Sequence, residues 1–99
     1  MTDKETITEE QNSKKRIVIL GGAESGVGSA LLAKAKGFDV FVSDSSILRE
    51  NYRKILIDNE IKYEEEGHTD EFILIADEVI KSPGIPENAS IVRKVSRQQ

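Results

Sequence analysis

After Arg16 the chain runs Ile17-Val18-Ile19-Leu20 without a polar break and stops at Gly21-Gly22. A run that is apolar on both faces suits a central strand of a parallel sheet. Val27, Ala30, Leu31 and Ala35 then recur at helical spacing, with Lys34 and Lys36 in the last turn and Gly37 just beyond as a stop. Val40-Phe41-Val42 predicts a second strand, closing on Ser43-Asp44-Ser45-Ser46. Ser46 is placed to cap a second helix whose apolar stripe is Leu48, Tyr52, Ile55 and Leu56, with Asn59 as its stop. Ile61 to Glu65 reads as a third, weaker strand at or near an edge. Thr69, followed by the acids Asp70 and Glu71, opens a short helix carrying Phe72, Ile73 and Ile75. Glu78-Val79-Ile80-Lys81 is a fourth strand, which Ser82-Pro83-Gly84-Ile85-Pro86 halts. From Glu87 a last helix carries Ile91, Val92 and Val95.

Strands and helices alternate with short links. That pattern predicts a Rossmann-like α/β domain over residues 16–99: a parallel sheet of about four strands, right-handed crossovers, and helices on both faces. The next element in the alternation is a strand, so a fifth strand is expected past Gln99, and the chain reads as part of a longer protein. Residues 1–15 mix acids and lysines around a lone aliphatic residue, Ile7, and predict a flexible leader with a short helix from Thr8.

Composition narrows the chemistry. The 99 residues fit one domain. There is no cysteine, which excludes disulfides, thiolate catalysis and cysteine-based zinc sites, and fits a cytoplasmic setting. The net charge of −4 argues against nucleic acid or an anionic membrane as partner. Half of the 18 acids lie between Asp58 and Glu78, which reads as a solvated edge away from any anionic ligand. No apolar run approaches the ~18 residues of a membrane span. The single histidine, His68, reads as a surface or capping residue, since no second His or any Cys could help it hold zinc. Glu64, Glu65 and Glu66 are not read as a catalytic pair. With one histidine the chain offers no nucleophile–base–orienter set, and no G-x-x-x-x-G-K-[ST] loop occurs for ATP. No catalytic residue is therefore assigned within the chain.

In a doubly wound sheet a ligand sits outside the carboxyl ends of the strands, and three segments would meet there. The first is Gly21-Gly22-Ala23-Glu24-Ser25-Gly26-Val27-Gly28, between a strand and a helix. Its glycines allow close backbone approach, and the helix start offers N–H groups to phosphate. The dinucleotide fingerprint G-x-G-x-x-G is met at Gly21 and Gly26, but its middle position is Ala23. Glu24 would repel phosphate, so its side chain is expected to point away while its backbone binds. The second is Asp44, which lies 44 − 21 = 23 residues after Gly21, near the ~20-residue offset of a ribose-binding acid. The third is the Ser82-Pro83-Gly84 turn. Each has a plainer alternative: a tight turn needing glycine for packing, a turn or capping aspartate, and an ordinary proline–glycine turn.

Taken together, Ile17 to Gly28, Val42-Ser-Asp-Ser, Glu66-Gly-His and the run Ala76-Asp-Glu-Val-Ile-Lys-Ser-Pro-Gly-Ile-Pro resemble the N-terminal domain of the Mur ligases over residues 16 to about 95. Within the family the chain is most similar to the branch that adds D-glutamate to UDP-N-acetylmuramoyl-L-alanine in peptidoglycan synthesis. The resemblance implies a monomeric, three-domain cytoplasmic enzyme in which ATP phosphorylates the substrate carboxylate and the amine of D-glutamate then attacks. The domain present here would hold the uridine diphosphate end of the substrate. ATP and Mg2+ would bind a central domain outside the chain, so no cofactor is expected in this part. By motif, the Gly22-Ala23 turn and the backbone around Glu24, Ser25 and Gly26 would meet the diphosphate. Asp44 and Ser45 would meet the uracil, and Ser82, Pro83 and Gly84 would close the other side. Ala23 departs from the usual second glycine, and Ser46 stands where some members carry a basic residue. Two other readings stay open: a stand-alone or regulatory NAD-type dinucleotide-binding domain, and a non-catalytic interaction module.

Overall fold

In the structure, a computed structural model that describes residues 15–82, the strand β1 (Arg16–Leu20) is flanked on both sides and has no solvent-facing edge. That position is why its residues are apolar throughout: Val18 and Ile19 are fully buried, on opposite faces. The chain continues through α1 (Glu24–Ala35), β2 (Asp39–Ser43), α2 (Glu50–Asp58), β3 (Lys62–Glu64), α3 (Asp70–Ile73) and β4 (Glu78–Lys81). The sheet order is β3-β2-β1-β4 and every pairing is parallel, as the alternation predicts. Leu20 sits opposite both Ser43 of β2 and Lys81 of β4, so three strands end level with one another. The leader, the last helix and the fifth strand fall outside the described residues.

The sheet carries helices on both faces. Ile17, Ile19, Val40 and Val42 point to the side where Val27, Ala30 and Ala33 of α1 and Leu56 of α2 pack, with Leu48 and Ile61 joining them. Val18, Leu20 and Phe41 point to the other side, against Ile73 of α3, with Leu74 and Ala76 behind it. Each such buried aliphatic side chain is worth about 1.5–3 kcal/mol against exposure. Phe72 leans edge-on against Phe41 with ring centroids 5.6 Å apart, and the Arg16 guanidinium lies over the same Phe41 ring.

Several expected details differ. In α1 the buried stripe is Val27, Ala30 and Ala33, while Ala35 is exposed and Leu31 half-buried. Ser46 does not cap the second helix: α2 begins at Glu50, with Arg49 at the N-cap position and no side-chain cap bond. Asp44 accepts the Ser46 N–H and the Ser46 carbonyl accepts from Glu66, so residues 44–46 form a turn and that carbonyl does not start a helix. β2 extends one residue further at each end than Val40–Val42, and β3 is shorter than expected, covering Lys62–Glu64 only. α3 ends at Ile73, which leaves Ile75 exposed beyond it.

Candidate functional site

Gly21 continues the β1–β2 ladder by donating to the Ser43 carbonyl at 2.8 Å, and Ser82 continues the β1–β4 ladder by donating to the Leu20 carbonyl at 2.9 Å. The residues immediately after β1, β2 and β4 are thereby brought level at the carboxyl end of the sheet. Gly21 has a φ of 107°, which a side chain would disfavour, and from it the chain turns sharply into α1. Gly26, in the first turn of α1, is packed so close to β1 that a Cβ would overlap the Gly21 carbonyl oxygen. The first N–H groups of a helix lack intrahelical partners. Among the described residues nothing accepts from the N–H groups of Glu24, Ser25 or Gly26. They form the positive end of a 12-residue helix.

An open cleft of about 430 Å³ lies beside this turn, lined by Gly22, Ala23 and Glu24 on one side and by Asp44, Ser46, Ile47, Leu48, Arg49 and Tyr52 on the other. Of the residues singled out from the sequence, Gly22, Ala23, Glu24 and Asp44 come together here. Ser25 sits one residue further into α1, Gly26 is buried beneath the turn, and Ser45 is exposed beside the cleft. Ser82 lies at the end of β4, next to β1 and away from this lining. Pro83 and Gly84 lie outside the described residues.

Asp44 is the organising residue. Its Oδ2 accepts the Gly22 N–H at 2.7 Å and its Oδ1 accepts the Ser46 N–H at 2.8 Å. Both the turn aspartate and the ligand-facing acid are compatible with this geometry. An ionised carboxylate has about four acceptor positions, so each oxygen keeps one for a ligand.

The loop after β3 buttresses the cleft from behind. Glu66 donates its N–H to the Ser46 carbonyl and Gly67 donates to the Asp44 carbonyl, each at 3.1 Å. Glu65 Oε1 accepts the Leu48 N–H at 2.8 Å, and the Arg53 guanidinium donates to the Leu48 carbonyl at 2.9 Å. Below them, Ser43 and Thr69 both donate hydroxyl protons to Glu64, and the Thr69 N–H donates to it as well. Burial pushes the Glu64 carboxyl up, but the bonds from Thr69 and Ser43 and the neighbouring His68 outweigh it and hold the group below its usual value.

His68 is not the surface or capping residue expected. It is half-buried, with Nδ1 2.6 Å from Ser43 Oγ. Because the single Ser43 hydroxyl proton goes to Glu64, His68 Nδ1 carries a hydrogen and donates to Ser43. Serine, histidine and glutamate thus meet, but not as a nucleophile set. Ser43 is 0% exposed, and the glutamate binds the serine rather than orienting the histidine. The trio is a structural tie between β2, β3 and the loop.

Ile47, Arg49 and Tyr52 were not singled out as site residues. Ile47 is a large apolar side chain left 63% exposed on the rim of the cleft. The sequence signal was its place just after the Asp44 turn, which helical patterning from Ser46 obscured.

An all-parallel β3-β2-β1-β4 sheet, a glycine turn into the first helix and a cleft at the carboxyl ends define the Rossmann-like class of α/β domains. The chain belongs to the family described as the MurD N-terminal domain, whose model matches residues 14–91. It is 56% identical over 84 residues to a relative from Bacteroides thetaiotaomicron, and 49% identical over 84 residues to one from Christiangramia forsetii. Both are UDP-N-acetylmuramoylalanine--D-glutamate ligases, and each match covers 85% of this chain and 19% of the relative. The chain thus spans about a fifth of the length of these curated relatives. Among solved structures, a pseudomurein peptide ligase type C from Methanothermus fervidus superposes with a TM-score of 0.75 at 29% identity, over 86% of this chain and 18% of its own. A ferredoxin reductase from Rhodopseudomonas palustris, at 17% identity and a TM-score of 0.60 over 96% of this chain and 30% of its own, shares the fold alone.

Proposed function

We propose that this chain holds the UDP end of UDP-N-acetylmuramoyl-L-alanine within a cytoplasmic ligase that adds D-glutamate in peptidoglycan synthesis. The observation that carries the reading is the cleft itself, which sets the amide-bearing start of α1 opposite Asp44. The N–H groups of Glu24, Ser25 and Gly26 suit the diphosphate, since they are fixed donors at the positive end of a helix. The open acceptor positions of Asp44 suit the ring N–H of uracil, with Ser45 beside it. On the family resemblance alone, Ser82, Pro83 and Gly84 would contact the substrate from the β4 side.

The residues of this chain are assigned to binding and orienting the substrate. The sequence has no phosphate loop for ATP. ATP, Mg2+ and D-glutamate are assigned to parts of the enzyme outside this chain, and the chain alone is expected to be inactive. When bound there, ATP would supply the phosphoryl group that activates the substrate carboxylate.

The test is an amide-shift NMR titration of the 99-residue chain with UDP-N-acetylmuramoyl-L-alanine, with NAD in parallel. Shifts at Glu24 to Gly26, Asp44 and Gly84 for the sugar nucleotide are expected. Shifts at those residues for NAD only would replace this reading with a dinucleotide-binding one.

A further inference from the structure

Arg49 stands in a place that stability does not explain. It occupies the N-cap position of α2, where the helix dipole disfavours a cation and where Ser, Thr, Asp or Asn would serve better. Its guanidinium is exposed and has no hydrogen-bond or ion-pair partner among the described residues. The other described arginines are engaged. Arg16 pairs with Asp39 at 3.0 Å, and Arg53 bonds the Leu48 carbonyl and lies 3.4 Å from Glu65.

Its backbone, by contrast, is held. The preceding residue, Leu48, is buried, with its N–H bonded to Glu65 and its carbonyl bonded to Arg53. The Arg49 carbonyl accepts from the Arg53 N–H at 2.9 Å. A fixed backbone with an unpartnered cation on the rim is the arrangement a ligand contact requires. Two acidic residues, Glu24 and Asp44, are among the residues lining the same cleft, and Arg49 is the basic one. A diphosphate bound at the start of α1, in a cleft with acidic residues in its lining, needs its charge balanced.

From this placement, and resting on the UDP reading above, we infer that Arg49 is the electrostatic contact for the diphosphate and sets the preference of the cleft for the charged nucleotide over the uncharged nucleoside. The planar guanidinium offers paired donors to phosphate oxygens, which an ammonium cannot match.

The experiment is calorimetric titration of the 99-residue chain and its Arg49→Ala and Arg49→Lys variants with UDP and with uridine. The expected result is that Arg49→Ala weakens UDP about tenfold or more, in keeping with loss of a charge-assisted hydrogen bond. Arg49→Lys falls between, and uridine affinity is unchanged by either substitution. UDP binding by the unaltered chain should also weaken with salt more steeply than in Arg49→Ala. Equal UDP affinity in all three chains overturns the role of Arg49 and leaves the UDP reading standing. An equal loss for UDP and uridine in Arg49→Ala also overturns it, since the residue would then be shaping the cleft rather than reading charge. No UDP binding by the unaltered chain overturns the UDP reading itself and this inference with it.

Discussion

Asp44 Oδ2 accepts the N–H of Gly22 across 2.7 Å, so the residue after β2 holds the turn after β1. The other carboxylate oxygen holds the Ser46 N–H. One side chain therefore sets the separation of the two walls of the cleft. Asp44→Ala would leave the buried Gly22 N–H without an acceptor, a loss of about 1–3 kcal/mol. Asp44→Asn keeps one acceptor oxygen and should lose less. Urea unfolding of both variants checks this. An Asp44→Ala chain as stable as the parent would show that the turn holds without the carboxylate.

Two glycines five and seven residues past Gly21 should respond oppositely to the same substitution. Gly26→Ala drives a methyl into the Gly21 carbonyl and must push α1 off β1; a loss above about 3 kcal/mol, or failure to fold, is expected. Gly28 lies in the same helix, exposed, with open space where its Cβ would be. Gly28→Ala should be neutral or stabilise by up to about 1 kcal/mol through helix propensity and a less disordered unfolded chain. Thermal melts of the pair settle the assignment of close packing to Gly26.

Glu64 makes stability depend on acid. Its carboxyl is held below the usual value of 4.5, so the folded chain favours the ionised form more than the unfolded chain does. The stabilisation is fully present above 4.5 and is lost as pH falls through the lower, folded-state value. Glu64→Gln lacks this titration. The stability gap between parent and variant should therefore be widest near neutral pH and shrink as the solution is taken below pH 4.5, followed by urea midpoints across the range. A gap that stays constant with pH would remove Glu64 from the tie with Ser43 and Thr69.

Adjacent residues of α2 separate core from surface. Leu56 is completely buried and Ile57 is 56% exposed. Leu56→Ala should cost about 2–5 kcal/mol, by lost transfer energy and the cavity left behind. Ile57→Ala should stay within about 0.5 kcal/mol. Denaturant midpoints with unchanged slopes would confirm both; a similar loss for the two would mean that α2 is rotated about its axis.

Legibility followed the range of the forces. β1 and β4 coincide residue for residue with the runs Arg16 to Leu20 and Glu78 to Lys81, because burial on a sheet selects side chains along a continuous stretch. Gly37, at a φ of 90°, ends α1 as its position implied. The start of α2 was misread at Ser46, since a serine before an apolar stripe carries the same signal whether it caps a helix or belongs to a turn. Asp44 holds the Ser46 N–H in a turn, and the Ser46 carbonyl accepts from Glu66, twenty residues further on. His68 looked like a surface residue because its partner, Ser43, is 25 positions away. Arg49 gave no signal as a site residue, since neighbours in sequence do not reveal which cations lack a partner.

The sequence by itself determined the alternation of strands and helices, the parallel sheet, and a glycine turn and an aspartate at strand ends. Each of these depends on periodicity and on backbone preferences that act within a few residues. Only the tertiary structure decided the order β3-β2-β1-β4, the burial of Gly26 against Gly21, the bonding of Asp44 to Gly22, and the isolation of Arg49 on the rim. The strand order and the Asp44 bond arise from contacts between segments some twenty or more residues apart, the Gly26 packing from the way the turn folds α1 back on β1, and the isolation of Arg49 from the lack of a partner among the described residues. The contacts between distant segments exist once the sheet has brought the strand ends level, and no local pattern encodes them.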